Sequence, residues 1–544
     1  AALPCGAVSV SRRDLLALML GAPLVGSCKK RERTVPGSIR GASMPVGHRL
    51  RDATVEHAGG AAVKVGVAIV GAGPSGLSAA WRMSRLGYQD YVVLDLEGQV
   101  GGTSAFGTDG VVPHPWGAHY VPLPTKDNRA LVTLLSEMDV FESLEPEPRA
   151  RETQLVREPE ERVFVDGAWH QGLFPHAIAT DDDAKQLERF QREVDRWVSW
   201  RDGKGRRAFT LPVRHCSDAA EVTELDRISA ERWMSDRGLT SKVLRWYLEY
   251  ACRDDYGLSL ADTSAWALLF YFCSRVPKPR EESEPFLTWP EGNGHIVRHL
   301  SSVAGARVKL GQLVTDVVPS ESGVELSVLD TKTQKLTRYL AEHAILAIPK
   351  FIVPRILRPF RDKPPKHLEA FGYGVWMVAN LHLSRRPRYA GFGPSWDNVI
   401  YDSPSLGYVV ATHQRLSDYG PTVWTYYMPL TDSDPKKARE TLAAGEHAGF
   451  CRAILADLEP AHSGLADALE RIDVWRWGHA MVRPTPGLIW GGARAKAREP
   501  FGRVHFAHSD LSGVALFEEA QDHGVRAAEE CLRALGRDFD AFSE

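Results

Sequence analysis

Val63-Lys64-Val65-Gly66-Val67-Ala68-Ile69-Val70-Gly71-Ala72-Gly73-Pro74-Ser75-Gly76 is a short apolar run, rich in valine, that breaks directly into three spaced glycines. The run predicts a buried parallel strand, and Leu77 to Met83 after it reads as a helix. A second apolar run, Tyr91-Val92-Val93-Leu94, ends in Asp95, 19 residues after Gly76. Each position has a physical task in a dinucleotide nest. Gly71 permits a tight turn, Gly73 lets backbone approach a pyrophosphate, and Gly76 lets helix pack closely on strand. Pro74 and Ser75 open the helix, whose free N–H groups and partial positive charge face the phosphates. Asp95 can accept hydrogen bonds from an adenosine ribose, with Leu96 beside it. Strand, glycines, helix, strand and acid in register predict an α/β protein with a Rossmann-like unit.

Outward from this unit lies a second glycine pair, Gly101-Gly102, followed by Thr103. Further islands are Trp116-Gly117-Ala118-His119-Tyr120, Trp289-Pro290-Glu291-Gly292, the strand-like run containing Val314, and Ala344-Ile345-Leu346-Ala347-Ile348-Pro349. Near the C-terminus stand Phe506-Ala507-His508-Ser509-Asp510 and a helix beginning near Phe517. Together these islands, over roughly 63–535, resemble the flavin-containing amine oxidase superfamily, which includes protoporphyrinogen oxidases and phytoene-type desaturases. The resemblance implies noncovalent FAD, with Gly71, Gly73, Pro74, Ser75, Gly76, Asp95, Leu96, Gly101, Gly102, Thr103, Gly117, Ala118, His119, Val314, Ser509, Asp510 and Leu516 around it. Two departures stand out. Thr103 occupies the place of a usual arginine, and His508 that of a usual glycine, with the acid one position late at Asp510.

The resemblance further implies a discontinuous Rossmann-like FAD-binding domain (63–150, 289–350 and 495–537) and an inserted α+β substrate domain. Of the latter, 151–288 reads as largely helical and 351–494 as β-rich. Asp181-Asp182-Asp183 can cap a helix, 241–252 and 262–274 read as helices, and strands are expected over Val375–Leu383 and Val423–Met428. Trp376, Trp424, Tyr426, Tyr427, Trp475 and Trp477 could line an apolar pocket or simply pack. Amine-oxidising members place a lysine on the strand near Trp376, but 367–435 contains none. Ala480 and Leu516 align with two flavin-flanking aromatics. Candidate catalytic positions are His119, as general base or substrate orienter, with Trp116 and Trp376.

The remaining features bound the function. Lys+Arg 66 against Asp+Glu 69 leaves no basic surplus for nucleic acid. No HExxH or Gly-x-Ser-x-Gly pattern occurs, and His505 and His508 would face opposite sides of a strand, so no metal site is expected. The seven cysteines form no CxxC pair. Only Cys252 and Cys273 suggest a disulfide, and only if the fold brings them together.

At the N-terminus, Arg12-Arg13 precedes an apolar run, Leu15 to Val25, too short to span a bilayer. Residues 1–28 resemble a twin-arginine export signal, implying the export machinery as a partner and a periplasmic location. Val25-Gly26-Ser27-Cys28 resembles a lipoprotein box, which would make Cys28 a lipid anchor. Residues 29–62 read as a flexible linker. The expected activity is hydride removal from a largely apolar small molecule to flavin N5, with dioxygen or a quinone as electron acceptor. An amine or amino-acid oxidase releasing peroxide is the alternative, and a non-catalytic flavin scaffold or electron relay a second.

Overall fold

The structure, a computed structural model, describes residues 17–19, 34–52, 58–280, 285–415, 418–431 and 434–542. The twin arginine and Cys28 lie outside the described residues. The Val63 run forms β1 (Ala62–Val70), the glycines lead into α1 (Pro74–Arg85), and β2 (Tyr91–Leu94) follows, parallel to β1. Burial explains the composition: Val67, Ala68, Ile69, Val93 and Leu94 have no accessible surface, as strands covered on both faces require.

Five later strands complete the sheet: β3 (Val308–Lys309), β4 (Gln312–Pro319), β5 (Val324–Asp330), β6 (Leu336–Leu346) and β7 (Val504–Phe506). The order is β3-β2-β1-β6-β5-β4, with β7 pairing the C-terminal half of β6. β2, β1, β6 and β7 run parallel, so Asp95, Gly71, Ala347 and His508 all emerge at one edge of the sheet. Ligands bind in this type of fold outside the carboxyl ends of the strands.

A second sheet orders the strands Ile39–Gly41, Leu469–Trp477, Trp376–Leu383, Thr422–Pro429, Tyr408–Val410, Asp397–Ile400, Glu161–Val165 and Ala168–Gln171. Two expectations change here. The segment read as a flexible linker contributes strand Ile39–Gly41, parallel to 474–476, and Ser43 donates to Glu97 from both backbone and hydroxyl. Gly37 makes this docking feasible, because a Cβ there would overlap the Ile472 carbonyl. The region expected to be largely helical also lends two strands, 161–165 and 168–171, to the β-rich sheet.

The helices fall close to expectation. Thr180, rather than the aspartates, is the N-cap of Asp181–Ser199, with Asp183 closing a capping box. α2 (Lys242–Tyr256) ends at Gly257, whose φ of 62° suits a left-handed C-cap. α3 (Ala265–Cys273) is almost wholly buried. No helix among the described residues is long and apolar enough to cross a membrane. α4 (Phe517–Ala534) packs on α1 through Gly524, where a Cβ would overlap the Ser75 carbonyl. The described cysteines, Cys216, Cys252, Cys273, Cys451 and Cys531, are buried and free, so Cys252 and Cys273 are not joined.

Candidate active site

The glycines at the end of β1 do different work. Gly71 has φ +106°, and a Cβ there or at Gly76 would overlap carbonyl oxygens of Ala347 and Gly71 respectively. Those two are demanded by the protein itself. Gly73 is different: its nearest neighbour would be the Cα of Gly102, 4.0 Å away, so a side chain there would fill only the gap between the two loops. The buried hydroxyls of Ser75 and Ser78 have no partner among the described residues. A gap kept clear by Gly73 and Gly102 at a helix N-terminus fits a pyrophosphate. Asp95 is fixed beside it, accepting from the Ala72 and Glu97 backbone N–H groups at 2.5 and 2.7 Å. Each oxygen retains a second lone pair for a ribose. Burial raises its pKa to about 6.

The two loop islands close on one another. Ala118 N–H donates to the Thr103 carbonyl at 3.0 Å, and Trp116 N–H to the Ala105 carbonyl at 2.9 Å. Gly117 is required because a Cβ would overlap the Thr103 carbonyl. Leu516 precedes α4 as its N-cap residue, and Ser509 and Asp510 are buried past β7. Val314 sits in β4 beside the bulge where pairing with β5 shifts register. A bulge of this kind re-aims backbone groups.

The three candidate catalytic residues separate. His119 lies among Tyr427, Trp396 and Tyr120, at ring-centroid distances of 5.0, 5.1 and 5.2 Å. Burial lowers its pKa to about 4, so the ring is neutral near pH 7 and able to accept a proton. Trp116 does not face this space. It is 1% exposed, packed against Trp475 and His114 and under the Arg40 guanidinium, and its carbonyl accepts from Trp477 Nε1. Trp376 is likewise a wall residue, 6% exposed, with its indole nitrogen against Gly257. Trp376 shares its cluster with Trp396 and Tyr427, whereas Trp116 packs apart from them.

Sequence reasoning missed the carboxylates. Tyr247, Tyr250 and Asp254 share one face of α2 at helical spacing. Asp254 keeps some accessible surface and has no hydrogen-bond or ion-pair partner among the described residues. Burial, then the neighbouring Asp255 and Asp397, pushes its pKa well up. Asp255, by contrast, is paired with Arg275 at 3.2 Å and accepts from Tyr120 Oη at 3.3 Å.

Opposite lie Glu161 and Asp397, aligned partners on adjacent parallel strands, so both side chains point the same way. Asp397 accepts from Tyr250 Oη at 2.9 Å, and burial raises its pKa to about 7. Glu161 has no partner among the described residues, and its pKa is pushed well up by burial, then by Glu160 and Asp397. One signal for these acids was present in the sequence. Asp254-Asp255 sits in the last turn of a helix, where the dipole disfavours negative charge.

The histidines near the C-terminus find separate partners. His343, His505 and Cys531 lie close enough to suggest a metal site. Yet Arg503 donates to His343 Nε2 at 3.3 Å, which puts the ring proton on Nδ1, facing His505 Nε2 at 3.2 Å; His505 Nδ1 then meets Glu530 at 3.0 Å. The chain of donors and acceptors closes without an ion. His508 instead meets Asp510.

Comparison with known proteins agrees with this geometry. A family described as flavin containing amine oxidoreductase matches residues 74–532. Among solved structures, putrescine oxidase bound to putrescine is 19% identical and covers 88% of this chain and 100% of its own, with a TM-score of 0.65. Cyclohexylamine oxidase from Brevibacterium oxydans IH-35A is 16% identical, covering 87% and 100%, at a TM-score of 0.61. A CLA-producing fatty acid isomerase from P. acnes is 12% identical, covering 86% and 98%, at 0.58. No curated protein matches. These likenesses share a fold across differing chemistries, while the family match spans most of the chain. The protein belongs to the flavin-containing amine oxidoreductase family and is an FAD-dependent oxidoreductase.

Proposed function

We propose that this enzyme oxidises a cationic amine. The observation that carries the reading is the set Asp254, Glu161 and Asp397, of which two lack any described partner. Buried carboxylates are costly unless paired or protonated, and an ammonium supplies the missing charge. The aromatic walls, Trp396 and Tyr427, suit a cation as well as its alkyl chain. Bound FAD supplies a two-electron acceptor. The chain's residues then have distinct tasks: the carboxylate oxygens of Asp254 and Glu161 bind the ammonium and take its proton, and Tyr250 orients Asp397. His119 Nε2 or Nδ1 offers a further neutral proton acceptor. Oxidation of an amine needs its nitrogen lone pair free, so proton uptake by a raised-pKa carboxylate is a productive step.

The expected apolar substrate is the second reading, favoured by the missing lysine in 367–435 and by the non-aromatic Ala480 and Leu516. It is the weaker one, because an uncharged guest leaves the carboxylates unmatched. Anaerobic mixing of the holoenzyme with mono- and diamines should bleach the flavin, and Asp254→Asn should raise KM for these amines at least about tenfold, as loss of a charged hydrogen bond does. Bleaching by uncharged alkenes or alcohols alone, with amines inert, overturns the proposal.

The twin-arginine route, a periplasmic location and a lipid at Cys28 are proposed on the sequence alone, as is re-oxidation by dioxygen or a quinone.

A further inference from the structure

We propose that His508 is a cofactor-contacting residue, gripping the ribityl-phosphate half of the dinucleotide through Nε2 while Asp510 holds the ring at Nδ1. The first observation is conformational. His508 has φ 145° and ψ 151°, a backbone region open essentially to glycine alone. A residue with a Cβ persists there only when its surroundings over-determine it.

The second observation is how firmly the ring is held. Its Nδ1 accepts from the Asp510 backbone N–H at 3.2 Å, which puts the neutral ring's proton on Nε2, and Asp510 Oδ1 lies 2.9 Å from the same nitrogen without hydrogen-bond geometry. Asp510 is itself buried and immobilised, its Oδ2 accepting from Tyr373 Oη at 2.5 Å and from the Lys350 backbone at 2.8 Å. With Nδ1 engaged, Nε2 is the ring atom left to act. The side chain is 24% exposed although Asp510 beneath it is 1% exposed.

The third observation is position. Along the carboxyl edge of the sheet the order is β2, β1, β6, β7. Asp95 marks the adenosine end and the Gly71–Gly76 loop the pyrophosphate, so the residue past β7 lies on the side away from the adenosine, toward the second phosphate and the ribityl chain it carries. Hydroxyls and phosphate oxygens are what an imidazole nitrogen recognises. The proposal rests on the FAD cradle described above.

The test exploits the strain. For a histidine with no ligand role, His508→Gly relieves the backbone and leaves FAD binding equal or better. We expect the opposite split: deflavinated His508→Gly melts at or above the wild-type temperature, yet binds FAD about tenfold or more weakly, as followed by flavin fluorescence. AMP, which lacks both the ribityl chain and the phosphate it carries, should bind both proteins equally. His508→Asn, a residue more tolerant of positive φ, should recover part of the FAD affinity. FAD binding unchanged in His508→Gly, or an equal loss for AMP, overturns the proposal. Failure of the wild-type protein to bind FAD would instead strike at the cradle itself.

Discussion

At the scale of single residues, the glycines divide by what confronts them. Gly76 faces the carbonyl of Gly71, whereas Gly73 faces the gap before Gly102. Gly76→Ala therefore has to move backbone, and a loss of roughly 3 kcal/mol or more, enough to impair folding, is expected. The Cβ of Gly73→Val meets nothing nearer than the Gly102 Cα at 4.0 Å, so the purified variant should keep a near-wild-type circular dichroism spectrum and melting temperature in its flavin-free form. Its absorbance near the flavin bands should nonetheless vanish. A yellow Gly73→Val protein would mean the gap does not hold the pyrophosphate. This division was only half legible in the sequence. Spacing marks all three glycines as a set, but which one serves packing and which the ligand depends on Ala347 and Gly102, both remote in the chain. Trp116 shows the same limit, because Trp475 and Arg40, which pack against it, are remote from it in the chain.

At the scale of elements, the local signals were sound and the pairings were not readable. The β1-α1-β2 unit, the helices near 242–256 and 265–273, and strands 376–383 and 422–429 follow from periodicity and caps. That 161–165 would lie beside 397–400 depends on long-range register, and this pairing creates the Glu161–Asp397 carboxylate pair. Burial of acids such as Asp397 and Glu518, the latter in the first turn of α4, has a pH signature. Asp397 and Glu518 are raised to about 7, so the folded state binds their protons more tightly than the unfolded chain does. Their contribution is fully present below pH 4 and fades as pH rises through 7. His119, His382 and His413 are depressed to about 4, so they act oppositely, costing stability as pH falls below about 6.5. The ligand-free enzyme should melt highest near pH 6 and decline on both sides. Asp397→Asn should flatten the alkaline decline and leave the acid one, as calorimetry across pH 4.5–8.5 can read. An unchanged alkaline limb would remove Asp397 from the account.

At the scale of the whole molecule, the N-terminal region has two claims on it. By sequence, residues 1–28 resemble an export signal, whose removal would take Leu18 and Met19 with it. In the fold, those two side chains are 3% and 1% exposed and join the cluster of Phe450, Leu458 and Ile472 behind the second sheet. Contact is close, since a Cβ on Gly449 would overlap the Met19 carbonyl. Burying a leucine or methionine fully contributes about 1.5–3 kcal/mol, and 1 kcal/mol moves a 150–250-residue unit by roughly 2–4 °C. The full chain should therefore melt several degrees above a chain starting at Val35, which keeps strand Ile39–Gly41 and loses only the segment before it. The shorter form should also bind more of a hydrophobic dye through the uncovered Phe450 and Leu458. Flavin content should be the same in both, because the cradle lies on the other sheet. Coincident melting of the two forms would show that Leu18 and Met19 add nothing to the folded state, and would leave the apolar run with only its proposed export role.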